Sequence, residues 1–182
     1  VWSTIPFTII TDEMIGVNPD TEYAYIEIPE KKEVWVIAST RSENLLNDLG
    51  ILDYKILKLV KGGDFEGKNY IHPLLHLIPG LKKLRDYNKI HQVVSEPFVD
   101  GNSGSGLVHL APANGEQDFD VAIKRRIPIF VPIDDDVKFT EEAGIFQNRY
   151  VRDTDTDVIN EMKKVNSFVK LGKIKHQYPT CW

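Results

Sequence analysis

Residues 104–119 read GSGLVHLAPANGEQDF. Two glycines flank a serine, an apolar run with one histidine follows, and an Ala-Pro-Ala-Asn-Gly bend leads into an acidic start. The stretch passes from strand-like alternation to helical spacing across that bend. His109 and Asp118 stand on either side of it. A lone histidine on an apolar strand reads as a satisfied core residue, and an aspartate in a helix's first turn is accounted for by the helix dipole. Gly104 and Gly106 open a second reading, because backbone without Cβ lets a ligand approach closely. The residues by themselves leave both open: core histidine and helix-start acid, or two walls of a site.

Working outward, GEQDFDVAIKRR at 115–126 predicts an amphipathic helix, with Phe119, Ile123 and Val121 or Ala122 inward and basic residues at its far end. KIHQVVSEPFV and GLVHLAP predict strands on either side of the flexible GNSGSG turn. Strand signals dominate the first third of the chain: VWSTIPF, EYAYIEI and EVWVIAS are β-branched and aromatic. Pro6 places the first of these at an edge or bulge. RSENLLNDLG predicts a helix capped by Ser42 and ended by Gly50. YKILKLVKG alternates like a strand, with either Tyr54 and Ile56 or these two and Leu57 as its inner residues. IPGLKKLRDYNK is a short helix with Leu81 and Leu84 on one face, and IPIFVPI a strand. DTDTDVINEMKKVNSFVKLG is a long helix capped by Thr154 or Asp155 and stopped by Gly172. Many strands with interspersed helices and no regular βαβ alternation predict an α+β fold on a barrel-like sheet, as one domain over residues 1–182.

The chain has 182 residues, 42% hydrophobic and 27% charged, with a net charge of −5. That balance argues against a nucleic-acid binder held by bulk electrostatics. Lys124-Arg125-Arg126 and Lys82-Lys83 read as solvated helix faces or as local basic patches. One cysteine, Cys181, supports no internal disulfide and fits a reducing, cytoplasmic compartment. Zinc-ligand spacings are missing, so no metal is expected. No apolar run approaches the roughly 20 residues that span a bilayer, and no membrane partner is expected. The GxSxG elbow, the P-loop and the dinucleotide fingerprint are all absent. The start, VWST, and the end, HQYPTCW, read as the interior of a longer protein.

Several segments together resemble the editing domain of isoleucyl-tRNA synthetases. GSGLVHLAPANGEQDF is similar to that family's GTGxVHxAPxxGxxDY, and WSTIPFT at 2–8 to its WTTTPWT. GDFEGKNYIHPLL at 63–75, GIFQNRYVRDTDTDVINEMKK at 144–164 and HQYPTCW at 176–182 match further family segments, in the family's order. Valyl and leucyl enzymes carry a T-x-R-P-E-T-type segment where this chain has Ser-Thr-Ile-Pro-Phe-Thr.

The resemblance implies a mostly antiparallel, barrel-like β core with peripheral helices, inserted into a larger class I synthetase. It implies hydrolysis of valine wrongly esterified to isoleucine tRNA, and of valyl adenylate. The HIGH and KMSKS motifs of the synthetic site are absent, so aminoacylation is not expected, and ATP and magnesium belong to the parent enzyme's other site. Editing itself needs no cofactor. Expected partners are the tRNA(Ile) 3′ end and the remaining synthetase domains, the fragment itself being monomeric. The alternatives are an inactive tRNA-end or amino-acid binding insertion, or the editing domain of a related valyl or leucyl enzyme.

The same resemblance assigns roles. Asp118 matches the aspartate that pairs with the substrate's α-ammonium group, where a charge-assisted hydrogen bond fixes orientation. His109 matches a histidine that gauges the valine side chain, with general-base action as the other option. Ser3 and Thr4 match hydroxyls that hold the substrate, the terminal adenosine and the attacking water. Phe7 stands for a tryptophan that forms an aromatic wall, and Gly106 completes the binding set. Two departures stand out: the third threonine is Ile5, and the asparagine and proline beyond it are Asp12 and Ile10. Asp12 is either a second acidic group at the pocket or a residue facing solvent.

Overall fold

In a computed structural model, residues 1–85 and 90–172 are described. Among the described residues, six strands form two separate three-stranded sheets. The first holds β1 (Met14–Val17) between β5 (Gln92–Ser95), which runs parallel to it, and β6 (Leu107–Leu110), which runs antiparallel. The second holds β2 (Glu22–Ile28) between β3 (Glu33–Ala38) and β4 (Lys55–Lys61), both antiparallel. The loop before β6 joins the sheets: Ala38 N donates to Ser105 O at 2.9 Å, and the buried Tyr23 hydroxyl donates to Gly106 O at 2.7 Å.

The α+β class and the mostly antiparallel pairing hold, but the described residues form no closed barrel. IPIFVPI, expected as a strand, contributes a single bridge from Ile133 to Phe139. Pro128 and Pro132 have no N–H to give a ladder, which explains why the segment cannot extend a sheet. β4 is an exposed edge strand: Ile56 and Leu57, expected to face inward, are each about half exposed, as is Leu59. Its register shifts opposite Tyr25 and Ile26, leaving Leu57 as the extra residue of a bulge.

Helices α1 (Ser39–Asp48), α2 (Pro79–Arg85), α3 (Glu116–Arg125) and α4 (Asp155–Lys164) surround the sheets. Ser42 lies inside α1 and donates to Ser39 O, so it does not cap the helix, whereas Gly50 does follow its end at φ +72°. Leu81 of α2 is buried and Leu84 packs on the core; residues 86–89 of that expected helix lie outside the described residues. α4 has ten residues and ends well before Gly172, with Asn166 at φ +54° just past its last turn. Thr154 occupies its N-cap position, but its hydroxyl bonds Val151 O, and the Asp155 carboxylate takes the amide of Phe7.

α3 is rolled away from the expected face. Phe119 and Ile123 are 44% and 57% exposed, and Val121 and Ala122 are buried. Its inner stripe is Asp118, Val121, Ala122 and Arg125, spaced as one helical face. Arg125 pairs with Glu66 at 2.6 Å and with the buried Glu96 at 2.8 Å, while Asp118 accepts the Ala111 amide at 2.8 Å. Satisfying those charged groups outweighs burying two apolar side chains.

The start of the chain also differs. Trp2 makes one parallel bridge to Val108, and Pro6–Thr11 form a 3-10 turn with Pro6 at its first position. The turn buries Phe7 and Ile10 against Met14, Leu74, Phe139 and Val158, in the larger of the cores. β1, which the chain enters just after this turn, had no clear signal in the sequence.

Candidate functional site

The 3-10 turn, β6 and the start of α3 enclose a cavity of about 240 Å³, open on one side. Trp2 to Ile5 and Thr8 form one wall, and Val108, His109 and Ala111 another. Asn114, Gly115 and Asp118 close the third. A larger cavity of about 620 Å³ lies among Trp35, Leu45, Arg41 and Lys170. It gathers no histidine, so the smaller cavity, where a histidine and a carboxylate converge, is the better candidate for chemistry.

The sequence-predicted residues divide clearly. Ser3, Thr4, His109 and Asp118 share this cavity. Thr4 is exposed at its rim, and the Ser3 hydroxyl donates to Ile5 O at 3.2 Å. Phe7 does not line the cavity: it is buried, stacks edge-to-face on Phe139 at 6.5 Å and lies under the Arg152 guanidinium. It was expected as an aromatic wall of the pocket, but Pro6 turns the chain so that the ring points into the core. Gly106 lies against a neighbouring cavity of similar size, which it shares with Phe98, Val99 and Asp118. At φ +76°, a Cβ there would stand 2.3 Å from that of Ala38, so glycine is required for the join between the sheets. Asp12 neither lines the cavity nor faces solvent; it is 5% exposed and sits behind His109.

Asp118 is half-buried at the N-terminal turn of α3. One carboxylate oxygen takes the Ala111 amide, and the other has no hydrogen bond among the described residues. Burial pushes its carboxyl above the usual range, with the Ala111 amide and His109 opposing that and Asp12 adding to it. Gly115 makes its position possible: a Cβ there would come within 2.9 Å of the Asp118 carboxylate. His109 pairs in register with Ile15 of β1, and its Nε2 is 3.2 Å from the Thr8 hydroxyl oxygen. An acidic group and an imidazole thus reach one small cavity from a helix start and a strand, beside the hydroxyls of Ser3, Thr4 and Thr8.

Several participants carried no signal strong enough to find. Thr8 follows Thr4 by four residues, and only the turn at Pro6 brings its hydroxyl to His109. The Thr11 hydroxyl bonds the Asn114 side chain, which ties the turn to the bend before α3. Tyr70, 58 residues from Asp12 in sequence, donates its phenol to Asp12 Oδ2 at 2.6 Å. His72 is buried behind the site, accepting the Leu74 amide at Nδ1 and meeting Ile9 O with Nε2 at 2.8 Å. Glu13 is fully buried and takes the Phe130 amide at 2.7 Å; burial pushes its carboxyl up to about 8.

No protein-family model matches the chain. It is 41% identical, over its whole length, to the isoleucine–tRNA ligase of Methanocaldococcus jannaschii. It is also 38% identical to that of Saccharolobus solfataricus and 34% to that of Pyrococcus furiosus, again over its whole length. The chain belongs to the isoleucyl-tRNA synthetase family. It spans 17–18% of the length of these relatives. A crystal structure described as GlLeuRS-CP1 superposes with a TM-score of 0.66 at 13% identity, covering 95% of this chain and 83% of that one. The cytosolic leucyl-tRNA synthetase editing domain of P. falciparum gives 0.50 at 18% identity, over 68% of this chain. Those likenesses establish the fold as that of a class I synthetase editing domain. In this isoleucyl-tRNA synthetase segment, WSTIPFT and GSGLVHLAPANGEQDF are opposite walls of one cavity.

Proposed function

We propose that the chain hydrolyses the ester of valine mischarged on isoleucine tRNA, with valyl adenylate as a second substrate. The observation that carries the reading is the cavity where Asp118 and His109 converge beside Ser3, Thr4 and Thr8. Water attacks the ester carbonyl carbon, and the bond to the terminal ribose oxygen breaks. Valine leaves as its carboxylate and the ribose hydroxyl regains a proton. The free oxygen of Asp118 holds the α-ammonium group, which selects an aminoacyl ester over a simple one. Ser3 and Thr4 orient the terminal ribose and the water, and the imidazole of His109 limits the side chain that enters.

The need for such a site is energetic. A synthetic pocket shaped for isoleucine rejects valine by about 1–3 kcal/mol for the missing methylene, a magnitude established on isoleucyl-tRNA synthetase itself. A second cavity that takes valine and excludes isoleucine multiplies that selectivity. The reading is tested by incubating valyl-tRNA(Ile) and isoleucyl-tRNA(Ile) with the chain and following amino-acid release. Selective loss of valine, lowered by about tenfold or more in Asp118→Ala, supports it. Binding of a valyl-adenosine analogue without any release, by the chain or by its parent synthetase, replaces it with a recognition role.

A further inference from the structure

Behind the cavity wall, three side chains from distant parts of the sequence meet in a row. Tyr70 donates to Asp12 Oδ2 at 2.6 Å, and Asp12 Oδ1 lies 3.6 Å from His109 Nδ1. Both of those facing atoms are buried, and neither has a hydrogen-bond partner among the described residues. Leaving a buried acceptor unmet costs about 1–3 kcal/mol, more when it is charged. Two such atoms facing each other just beyond bonding distance are therefore complementary, and a small rotation of either ring or carboxylate joins them.

Two other groups near the imidazole are engaged, wholly or in part, on other partners. His72 uses both ring nitrogens, on the Leu74 amide and Ile9 O. One oxygen of Asp118 takes the Ala111 amide, on the far side of the cavity. The Thr8 hydroxyl has one proton and two acceptors in reach, Ile5 O at 2.7 Å and His109 Nε2 at 3.2 Å. It can satisfy Nε2 while the cavity is empty and turn back to Ile5 O when another donor arrives.

We infer that Asp12, held by the Tyr70 phenol, is a positioning residue for His109: its Oδ1 takes the Nδ1 proton, which leaves the Nε2 lone pair facing Thr8 and the cavity. That orientation suits a nitrogen that receives a proton from water entering the site, a use that rests on the hydrolytic reading above. The tautomer itself does not depend on that reading. A carboxylate accepts only, whereas the isosteric amide both donates and accepts. In Asp12→Asn the Tyr70 phenol engages the amide oxygen, turns the amide N–H toward Nδ1 and drives the ring proton to Nε2.

The test is a two-bond nitrogen–proton correlation spectrum of the full chain, labelled with nitrogen-15 histidine, at a pH where imidazole is neutral. The five histidines are separated by using His109→Gln to assign the signal. The expected result is an Nδ1–H tautomer for His109 in the parent chain and Nε2–H in Asp12→Asn. In the double variant with Tyr70→Phe the amide is free to turn over, and Nδ1–H returns in part. Deacylation by Asp12→Asn falls by about tenfold or more in kcat with KM nearly unchanged. An Nε2–H signal in the parent chain overturns the assignment without recourse to any variant, as does an unchanged tautomer in Asp12→Asn. If the tautomer switches as described but no form releases valine, the positioning role stands and the hydrolytic reading fails.

Discussion

Raising the pH should destabilise this protein through one buried carboxyl, Glu13. Its side chain is fully buried, one oxygen takes the Phe130 amide, and the other has no partner among the described residues. Burial, offset in part by that amide and reinforced by Asp12, lifts its carboxyl from 4.5 to about 8. Folded protein therefore keeps a proton there that the unfolded chain has lost. Stability from this group is fully present below pH 4.5 and declines as pH rises to about 8. Each pH unit in that window costs about 1.4 kcal/mol, so the whole window is worth on the order of 5 kcal/mol. Chemical denaturation across pH 5 to 9 measures it, with Glu13→Gln as the reference, since the amide keeps the acceptor for Phe130 and cannot ionise. The parent chain should lose stability relative to Glu13→Gln as pH rises, and the gap should level off above about 8. Parallel curves for the two proteins would refute the reasoning. The same proton keeps a second negative charge away from Asp12, directly behind the candidate site.

Asp118→Ala should lower kcat/KM for valyl-tRNA(Ile) by about ten- to a hundredfold, the equivalent of one charge-assisted hydrogen bond, as read in a deacylation assay. Phe7→Ala should cost about 3–5 kcal/mol in chemical denaturation, as for a large core side chain. Its activity, measured well below its melting temperature, should change only a few-fold, since the ring packs on Phe139 and not on the cavity. Gly106→Ala should lower stability by about 1–2 kcal/mol for the left-handed backbone, and further for the contact with Ala38. An unchanged melting temperature would show that the join between the sheets gives way without strain.

Much of the local structure was readable. The alternation of EYAYIEI and EVWVIAS, the turn between them, and Gly50 after α1 are local features, and local rules governed them. Where expectation failed, a longer-range demand won. The apolar pattern put Phe119 and Ile123 inside α3, but Arg125 needed Glu66 and Glu96, residues 59 and 29 positions away. Thr154 and Asp155 both stand where a cap belongs, yet Asp155 serves the Phe7 amide, 148 residues distant. The site followed the same division, with His109 and Asp118 singled out from their own stretch and Thr8 and Tyr70 missed.

The sequence by itself determined which chemical groups were available, which segments form strands and helices, and the family resemblance of the motifs that carry them. It also determined the glycines at 106 and 115, whose missing Cβ atoms leave room for the backbone and for the Asp118 carboxylate. Only the tertiary structure decided that Phe7 is core, that Asp12 lies behind His109, and that Tyr70 holds it there. Those outcomes depend on contacts between residues tens of positions apart, where burial and hydrogen bonding must be satisfied together. Periodicity records how a side chain sits on its own element, and carries no information about what that element meets.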